Sequence, residues 1–320
     1  MTSPSPRIAI ILPAYNEAST VADTIRHFHA ELPDAQIVVV NNNSKDETPQ
    51  IAVQTLAELS AHGRVLHESR QGKGNAMRRA FLDVEADIYV LADADETYPA
   101  NRVHDLIRPV AEGRADMVVG DRHSGGHYAA ENKRPLHNFG NRLVQRLVNR
   151  LFRADLVDIM SGYRAFTRAF VKTYPILVEG FQVETDMTLH ALNRRMRIIE
   201  LPVEYRDRPE GSVSKLNTVS DGMGVILTIV RILRHYRPLL FFSSLSAIFC
   251  VAGLMAGLPV VEEYIRDQFI TRVPLAVLAA ALETIAFLLL AVGIILDSLS
   301  HHESYRSELN YLREYKKDQD

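Results

Sequence analysis

From residue 7 to about residue 202, short apolar runs alternate with stretches of helical spacing. Residues 8–12, 37–40, 88–92 and 117–119 are unbroken apolar runs, the pattern of strands covered on both faces. Between them, residues 18–31, 48–61, 74–84 and 102–111 repeat their apolar positions with helical periodicity. This alternation predicts an α/β domain, a mostly parallel sheet with helices on both sides. In such sheets ligands gather beyond the carboxyl ends of the strands. The polar clusters fall there: Pro13-Ala14-Tyr15-Asn16-Glu17, Asn41-Asn42-Asn43-Ser44 and Asp93-Ala94-Asp95.

After residue 117 the pattern loosens. Residues 120–135 are polar, include Gly125-Gly126, and read as a long loop. Residues 138–152 form a strong amphipathic helix, with Leu143, Leu147 and Leu151 in one stripe and Arg142, Arg146, Arg150 and Arg153 on other faces. Residues 161–166 and 198–203 are further strand candidates, and residues 218–236, apolar with a basic end, suit a helix lying on a membrane surface.

Two longer runs change the class of the chain. Residues 239–261 carry no charge, and residues 273–296 carry only Glu283. At ~1.5 Å per residue each spans roughly the hydrocarbon thickness of a bilayer. Buried helices of a soluble protein are the other reading, but two adjacent runs joined by polar residues 262–272 predict a hairpin. Arg231, Arg234 and Arg237 precede the first run with no acid among them, which places that flank in the cytoplasm. The hairpin returns the tail from Asp297 to the same side. No signal peptide precedes the first strand, so the first domain is expected in the cytosol. The expected organisation is a globular domain over 1–216, a juxtamembrane helix over 217–237, two transmembrane helices over 238–297 and a cytoplasmic tail over 298–320.

The 320 residues are 23% charged and 47% hydrophobic, which excludes disorder. A net charge of −3 gives no electrostatic case for a nucleic-acid partner. Cys250 is the single cysteine; it rules out an internal disulfide and a cysteine-built zinc site, and within an apolar run it acts as a small hydrophobe.

Asp93 and Asp95, one residue apart at the end of a buried strand, are oxygen ligands suited to Mg²⁺ or Mn²⁺, ions often shared with substrate phosphates. Taken alone, the pair reads more readily as an acidic turn capping the next helix. Tyr15-Asn16-Glu17 likewise reads as a helix start with an acid in its first turn. Lys73, between Gly72 and Gly74 at a helix start, suits a diphosphate or is simply a surface lysine in a turn. Glu184 and Asp186 begin a helix after Gly180-Phe181, where they contact a sugar or sit at an exposed helix terminus. Glu283 faces a helix neighbour or another subunit, because a carboxylate in a bilayer is costly unless protonated or paired.

In order, P-A-Y-N-E at 13–17, S-K-D-E-T at 44–48, G-K-G-N-A at 72–76, D-A-D at 93–95, G-D-R at 120–122, S-G-Y-R-A-F at 161–166 and R-D-R-P-E-G-S-V-S-K-L at 206–216 resemble the family-two GT-A glycosyltransferases. The resemblance is to their polyprenyl-phosphate branch, which includes dolichyl-phosphate mannose synthases and bacterial undecaprenyl-phosphate glucosyltransferases. It covers roughly residues 7–216, and the hairpin agrees with the bacterial members. It implies that Pro13, Tyr15 and Glu17 frame the base and ribose, that Asn42 meets a pyrimidine edge, and that Lys73 holds the diphosphate. The family usually has two acids and a glycine where this chain has Asn41, Asn42 and Asn43. Asp95 is the implied metal ligand, with Asp93 sharing the metal or the nucleotide. Thr97 stands where mannose-branch relatives have Gln, which leaves Glu96 as an alternative oxygen. Asp158 is implied near the sugar or acceptor. A lipid monophosphate would be met by Arg122, Lys133, Arg134, His137, Arg208 and Lys215, so that Asp95, Asp158 and Arg122 form the catalytic set.

The implied activity is inverting transfer of a sugar, from UDP-glucose or UDP-N-acetylhexosamine, to undecaprenyl or another polyprenyl phosphate. The setting is the bacterial inner membrane, in a multi-pass protein serving cell-envelope glycosylation. The implied partners are the nucleotide-sugar, the lipid acceptor and the bilayer; a homo-oligomer stays open. A processive polysaccharide synthase is one alternative, but its Q-x-x-R-W motif needs a tryptophan and the chain has none. A catalytically silent membrane scaffold is another, and intact Asp93, Asp95 and Arg122 argue against it.

Overall fold

Seven strands meet in one sheet in a computed structural model that describes residues 5–124, 135–180, 182–205 and 221–317. The strands are β1 (Ile8–Ala14), β2 (Gln36–Asn41), β3 (Gly63–His67), β4 (Ile88–Leu91), β5 (Met117–Asp121), β6 (Arg164–Thr167) and β7 (Ile198–Pro202), in the order β3-β2-β1-β4-β6-β5-β7. All pairings are parallel except those of β6, which runs antiparallel to β4 and β5. The helices around the sheet are α1 (Val21–Glu31), α2 (Thr48–Glu58), α3 (Lys73–Asp83), α4 (Val103–Ala111), α5 (Pro135–Phe152), α6 (Arg168–Thr173) and α7 (Val183–Asn193).

The apolar runs lack polar alternation because both sheet faces are covered. Ile10, Leu12, Val39 and Val90 pack with Val21, Ile25 and Phe28 of α1 and Leu106 of α4. Their alternates Ile11, Val38, Val40 and Leu91 pack with Met77 and Phe81 of α3, Phe170 of α6 and Met187 of α7. Period-two alternation therefore feeds two cores rather than one core and water. β3 escaped the sequence pattern because it is a half-buried edge strand with only Val65 and Leu66 as its large apolar residues. β6 is shorter than the run 161–166, since residues 161–163 form the turn that enters it. Its reversed direction matters: β6 starts at the edge where β1, β2, β4 and β5 end, which brings Ser161-Gly162 beside Asp93-Ala94-Asp95.

The chain divides into two compact units, residues 1–221 with 308–320, and residues 222–307. The second unit holds most of α8 (Asp221–Tyr236), α9 (Pro238–Asp267) and the apolar part of α10 (Val273–Lys317). α9 and α10 are each long and apolar enough to cross a membrane. Only 11% of the most apolar stretch of each is buried, unlike a core helix of a soluble protein, so these side chains call for an apolar solvent. α9 runs further than the apolar pattern indicates, and Gln268 in the left-handed region at φ 52° ends it. The hairpin link is thus 268–272, where Glu263 accepts from the Thr271 hydroxyl. Ser246 on α9 donates to the Ala286 carbonyl on α10 at 2.7 Å, and Glu283 lies against Gly253, meeting a helix neighbour. Within the first unit, Tyr311 donates to Asp116 at 3.0 Å and Glu314 pairs with Arg168 at 2.7 Å.

Candidate active site

The turns after β1 and β2 are knitted together. The Asn16 backbone N–H donates to Ser44 Oγ at 3.1 Å, Asn16 Oδ1 accepts from the Lys45 N–H at 2.8 Å, and the Glu17 N–H donates to Thr48 Oγ1 at 2.8 Å. Asn16 and Asn43 both adopt positive φ, 54° and 61°, which asparagine tolerates better than most residues. Pro13 and Tyr15 are half-buried and Glu17 is buried in this turn. Asn42 works one strand further along. Its amide donates to the Arg70 carbonyl at 2.7 Å and accepts from the Gly72 N–H at 2.7 Å. It ties the end of β2 to the turn that starts α3.

That turn explains the glycines of G-K-G differently from the sequence. At Gly74 a Cβ would overlap the Val178 carbonyl oxygen, so the close approach that glycine permits is to the chain's own 178–179 segment. Tight contact there seats Lys73, whose Nζ lies 2.5 Å from Asp93 Oδ1 and 2.5 Å from Glu184 Oε1 on α7. Burial draws the Lys73 pKa down, but the two carboxylates prevail and hold it above its ordinary value. Lys73 is accordingly a buried cation and not a surface lysine. Glu184, 5% exposed, was a weak candidate by sequence; the structure puts it at the centre, with Oε2 buried and unpartnered among the described residues. Asp186 instead accepts from the Tyr174 hydroxyl at 2.7 Å.

Asp95 is 3% exposed, and its Oδ1 accepts from the Thr97 N–H at 3.2 Å and the Thr97 hydroxyl at 2.6 Å. Thr97 therefore orients Asp95. Glu96, at φ 60°, reaches His27 of α1 at 3.4 Å. Tyr98 completes the loop: its hydroxyl accepts the Gly162 N–H at 2.8 Å, and its ring lies 5.2 Å from that of Tyr163. A Cβ on Gly162 would come within 2.9 Å of Asp93 Oδ2 and 3.0 Å of Lys73 Nζ, so this glycine keeps the loop tight against the pair.

At the end of β5, Arg122 grips Asp158 with a two-pronged bond, Nε to Oδ2 at 2.7 Å and Nη2 to Oδ1 at 2.9 Å. Burial would push the Asp158 carboxyl up, yet the Arg122 charge and hydrogen bonds hold it below the usual carboxylate range. The guanidinium also sits 5.6 Å from the Tyr205 ring centroid. Two residues missed by sequence reasoning build this corner. Glu200 on β7 accepts the Val157 and Asp158 N–H groups at 2.7 Å each. Arg164, fully buried, donates to the Ser161 and Ile159 carbonyls at 2.7 and 2.9 Å and to Thr188 at 2.9 Å. Arginine inside S-G-Y-R was the one visible signal; Glu200 gave none, being an ordinary acid in a strand.

The structure thus brings together Lys73, Asp93, Asp95, Arg122 and Asp158 from one edge of the sheet, with Glu184 added. Lys133, Arg134, Arg208 and Lys215 lie outside the described residues, as does the His137 side chain, although its backbone belongs to α5. Among the described residues no group of three or more His, Cys, Asp or Glu is arranged to hold a metal. A pair of strand-end carboxylates still fits a hard cation that completes its shell with substrate phosphate oxygens.

A mixed sheet that collects strand-end carboxylates and cations at one edge is the architecture of GT-A glycosyltransferases. Crystal structures of Mycobacterium tuberculosis glucosyl-3-phosphoglycerate synthase share it; the complex with Mn²⁺, UDP and phosphoglyceric acid has a TM-score of 0.55 at 21% identity, covering 73% of this chain and 79% of that one. The chain belongs to Glycosyl transferase family 2, whose family model matches residues 9–174, and it is an enzyme of that family. It is similar to glycosyltransferase AglJ of Haloferax volcanii, 32% identical over 307 residues, 95% of this chain and 98% of that protein. It is also similar to the undecaprenyl-phosphate mannosyltransferase of Micrococcus luteus, 29% identical over 230 residues, 69% of this chain and 91% of that protein.

Proposed function

We propose that the chain transfers a hexose from a nucleotide-sugar, with UDP-glucose or UDP-N-acetylhexosamine as donor, to a polyprenyl phosphate such as undecaprenyl phosphate. The observation that carries this reading is the convergence of Lys73, Asp93, Asp95 and Arg122 at one sheet edge, in a chain that also has two membrane-length helices. The lipid-phosphate substrate named for the Micrococcus luteus relative supports the acceptor class.

Asp95 and Asp93 would hold Mg²⁺ or Mn²⁺, which supplies charge neutralisation at the diphosphate when bound. Lys73 adds a fixed positive charge against the same diphosphate, at a point from which water is excluded. Glu184 Oε2, a buried acceptor without a donor among the described residues, suits a sugar hydroxyl. Pro13, Tyr15 and Glu17 frame the nucleoside. Arg122, oriented by Asp158, takes the acceptor phosphate through its planar fork, and Lys133, Arg134, His137, Arg208 and Lys215 complete that side.

A phosphate monoester has a second pKa of about 6 and is largely dianionic at neutral pH. One of its oxygens attacks the anomeric carbon from the side opposite the diphosphate. The new C–O bond forms as the bond to the diphosphate breaks, its electron pair leaves with the nucleoside diphosphate, and the anomeric centre inverts. No proton is removed, so the site needs cations more than a tuned general base. The catalytic unit works on the cytoplasmic side of a bacterial inner membrane, supplying lipid-linked sugar for envelope glycosylation.

The test uses detergent-solubilised protein, undecaprenyl phosphate and a panel of radiolabelled sugar nucleotides. Label passing into organic solvent with one donor is the expected result, and Asp95→Asn abolishes it. Organic extracts free of label with every donor reject the acceptor assignment, and undiminished turnover in Asp95→Asn rejects the metal assignment.

A further inference from the structure

Helix α5 carries positive charge that the proposed reaction does not use. No acid occurs between residues 135 and 153, whereas Arg142, Arg146 and Arg150 follow at steps of four that align them on one side of the helix, with Arg153 just past its end at φ 54°. All four are exposed, and among the described residues none of their side chains makes an ion pair or hydrogen bond. Among the described residues of this helix, those buried are Gly140, Val144 and Val148, not the leucine stripe that the sequence marked out. Leu143 is 41% exposed, and Leu147 and Leu151 are half-buried, forming an apolar strip beside the arginines.

The outward side of α5 is therefore two parallel strips, one basic and one apolar. A nucleic-acid backbone uses the first and has no use for the second. A bilayer interface takes both, with guanidinium groups on headgroup phosphates and leucines at the acyl boundary. The chain's own apolar helices keep a bilayer at hand. We propose that the outward face of α5 docks on an anionic lipid surface through Arg142, Arg146 and Arg150, with Leu143 entering the interface.

The flank of α5 next to the arginines, on the side away from the leucines, gives this docking a consequence. Gln145 and Asn149 both donate to the Leu156 carbonyl, at 2.8 and 2.9 Å, and Asn149 accepts the Leu156 N–H at 3.1 Å. Leu156 stands two residues before Asp158, so one rigid helix links the lipid-facing arginines to the Arg122–Asp158 pair.

The test places full-length protein, with Cys250→Ala and an environment-sensitive dye on Leu143→Cys, in nanodiscs of phosphatidylcholine with or without phosphatidylglycerol. Each arginine near an anionic surface strengthens docking about fivefold, so three together give roughly a hundredfold. The expected result is blue-shifted emission and reduced acrylamide quenching with phosphatidylglycerol. Raised salt and the triple variant Arg142→Glu, Arg146→Glu, Arg150→Glu should both remove this effect, while an unchanged thermal melt shows the triple variant folded. Equal quenching in both lipids overturns the proposal, as does protection that survives charge reversal or a dye that answers only to added oligonucleotide. None of these outcomes depends on the sugar-transfer reading, because no substrate is present.

Discussion

Replacing Asp158 by Asn takes one negative charge out of a buried pair and leaves the rest of the corner in place. Arg122 is 13% exposed and Asp158 only 1%, so neither group has water to fall back on. Breaking such a pair by removing one partner costs ~3–5 kcal/mol. Asparagine keeps one acceptor oxygen for one prong of the guanidinium, which puts the cost near the lower end, about 3 kcal/mol. For a domain of this size a melting temperature falls ~2–4 °C per kcal/mol, so the variant should melt roughly 6–12 °C below the parent. Acid gives the sharper check. The folded-state pKa of Asp158 is depressed below its unfolded value of about 3.9. The stability it contributes is complete above the unfolded value and is lost as pH falls through the folded one. The gap between parent and Asp158→Asn should therefore be full at pH 7 and close as the pH drops below about 4. Thermal melts of both proteins in one detergent, followed by tryptophan-free near-ultraviolet dichroism across this range, measure it. A gap below 2 °C at pH 7 (roughly half a kcal/mol to one kcal/mol), or one that persists unchanged into acid, refutes the reasoning.

Lys73→Met strands Asp93 and Glu184 without their shared cation and removes a charge-assisted donor, so UDP affinity by calorimetry should fall about 10- to 100-fold; an unchanged affinity would show that Lys73 does not meet the diphosphate. Gly74→Ala drives a methyl group into the Val178 carbonyl, a backbone atom that cannot swing aside, and should cost ~3 kcal/mol or more by thermal melt. A variant as stable as the parent would mean that the 178–179 segment is not seated there. Glu200→Gln leaves one of the Val157 and Asp158 N–H groups without an acceptor and should cost ~1–3 kcal/mol. It should also lower the rate of UDP release through a displaced Arg122, and a stability loss with an unchanged rate would separate the corner from catalysis.

The sequence by itself determined the class of fold and which polar residues stand at the strand tips. Unbroken apolar runs ending in P-A-Y-N-E, N-N-N-S and D-A-D need only local composition to declare strands buried on two faces with polar tips at one edge. The membrane-length runs around Glu283 are legible for the same reason, since length and hydropathy are properties of the chain. Tertiary structure alone decided partners that lie far apart in sequence. Glu184 joins Lys73 and Asp93 only because the 178–179 segment leading into α7 seats against Gly74, and Glu200 holds Asp158 only because β7 pairs with β5. The antiparallel insertion of β6 brings Gly162 to Tyr98 and Asp93, a reversal that no local pattern encodes, because a four-residue strand buried on both sides reads the same in either direction. The glycines of G-K-G were recognised by type, but what they make room for is a carbonyl a hundred residues away. Local physics names which residues carry charge; only the fold says which charges meet.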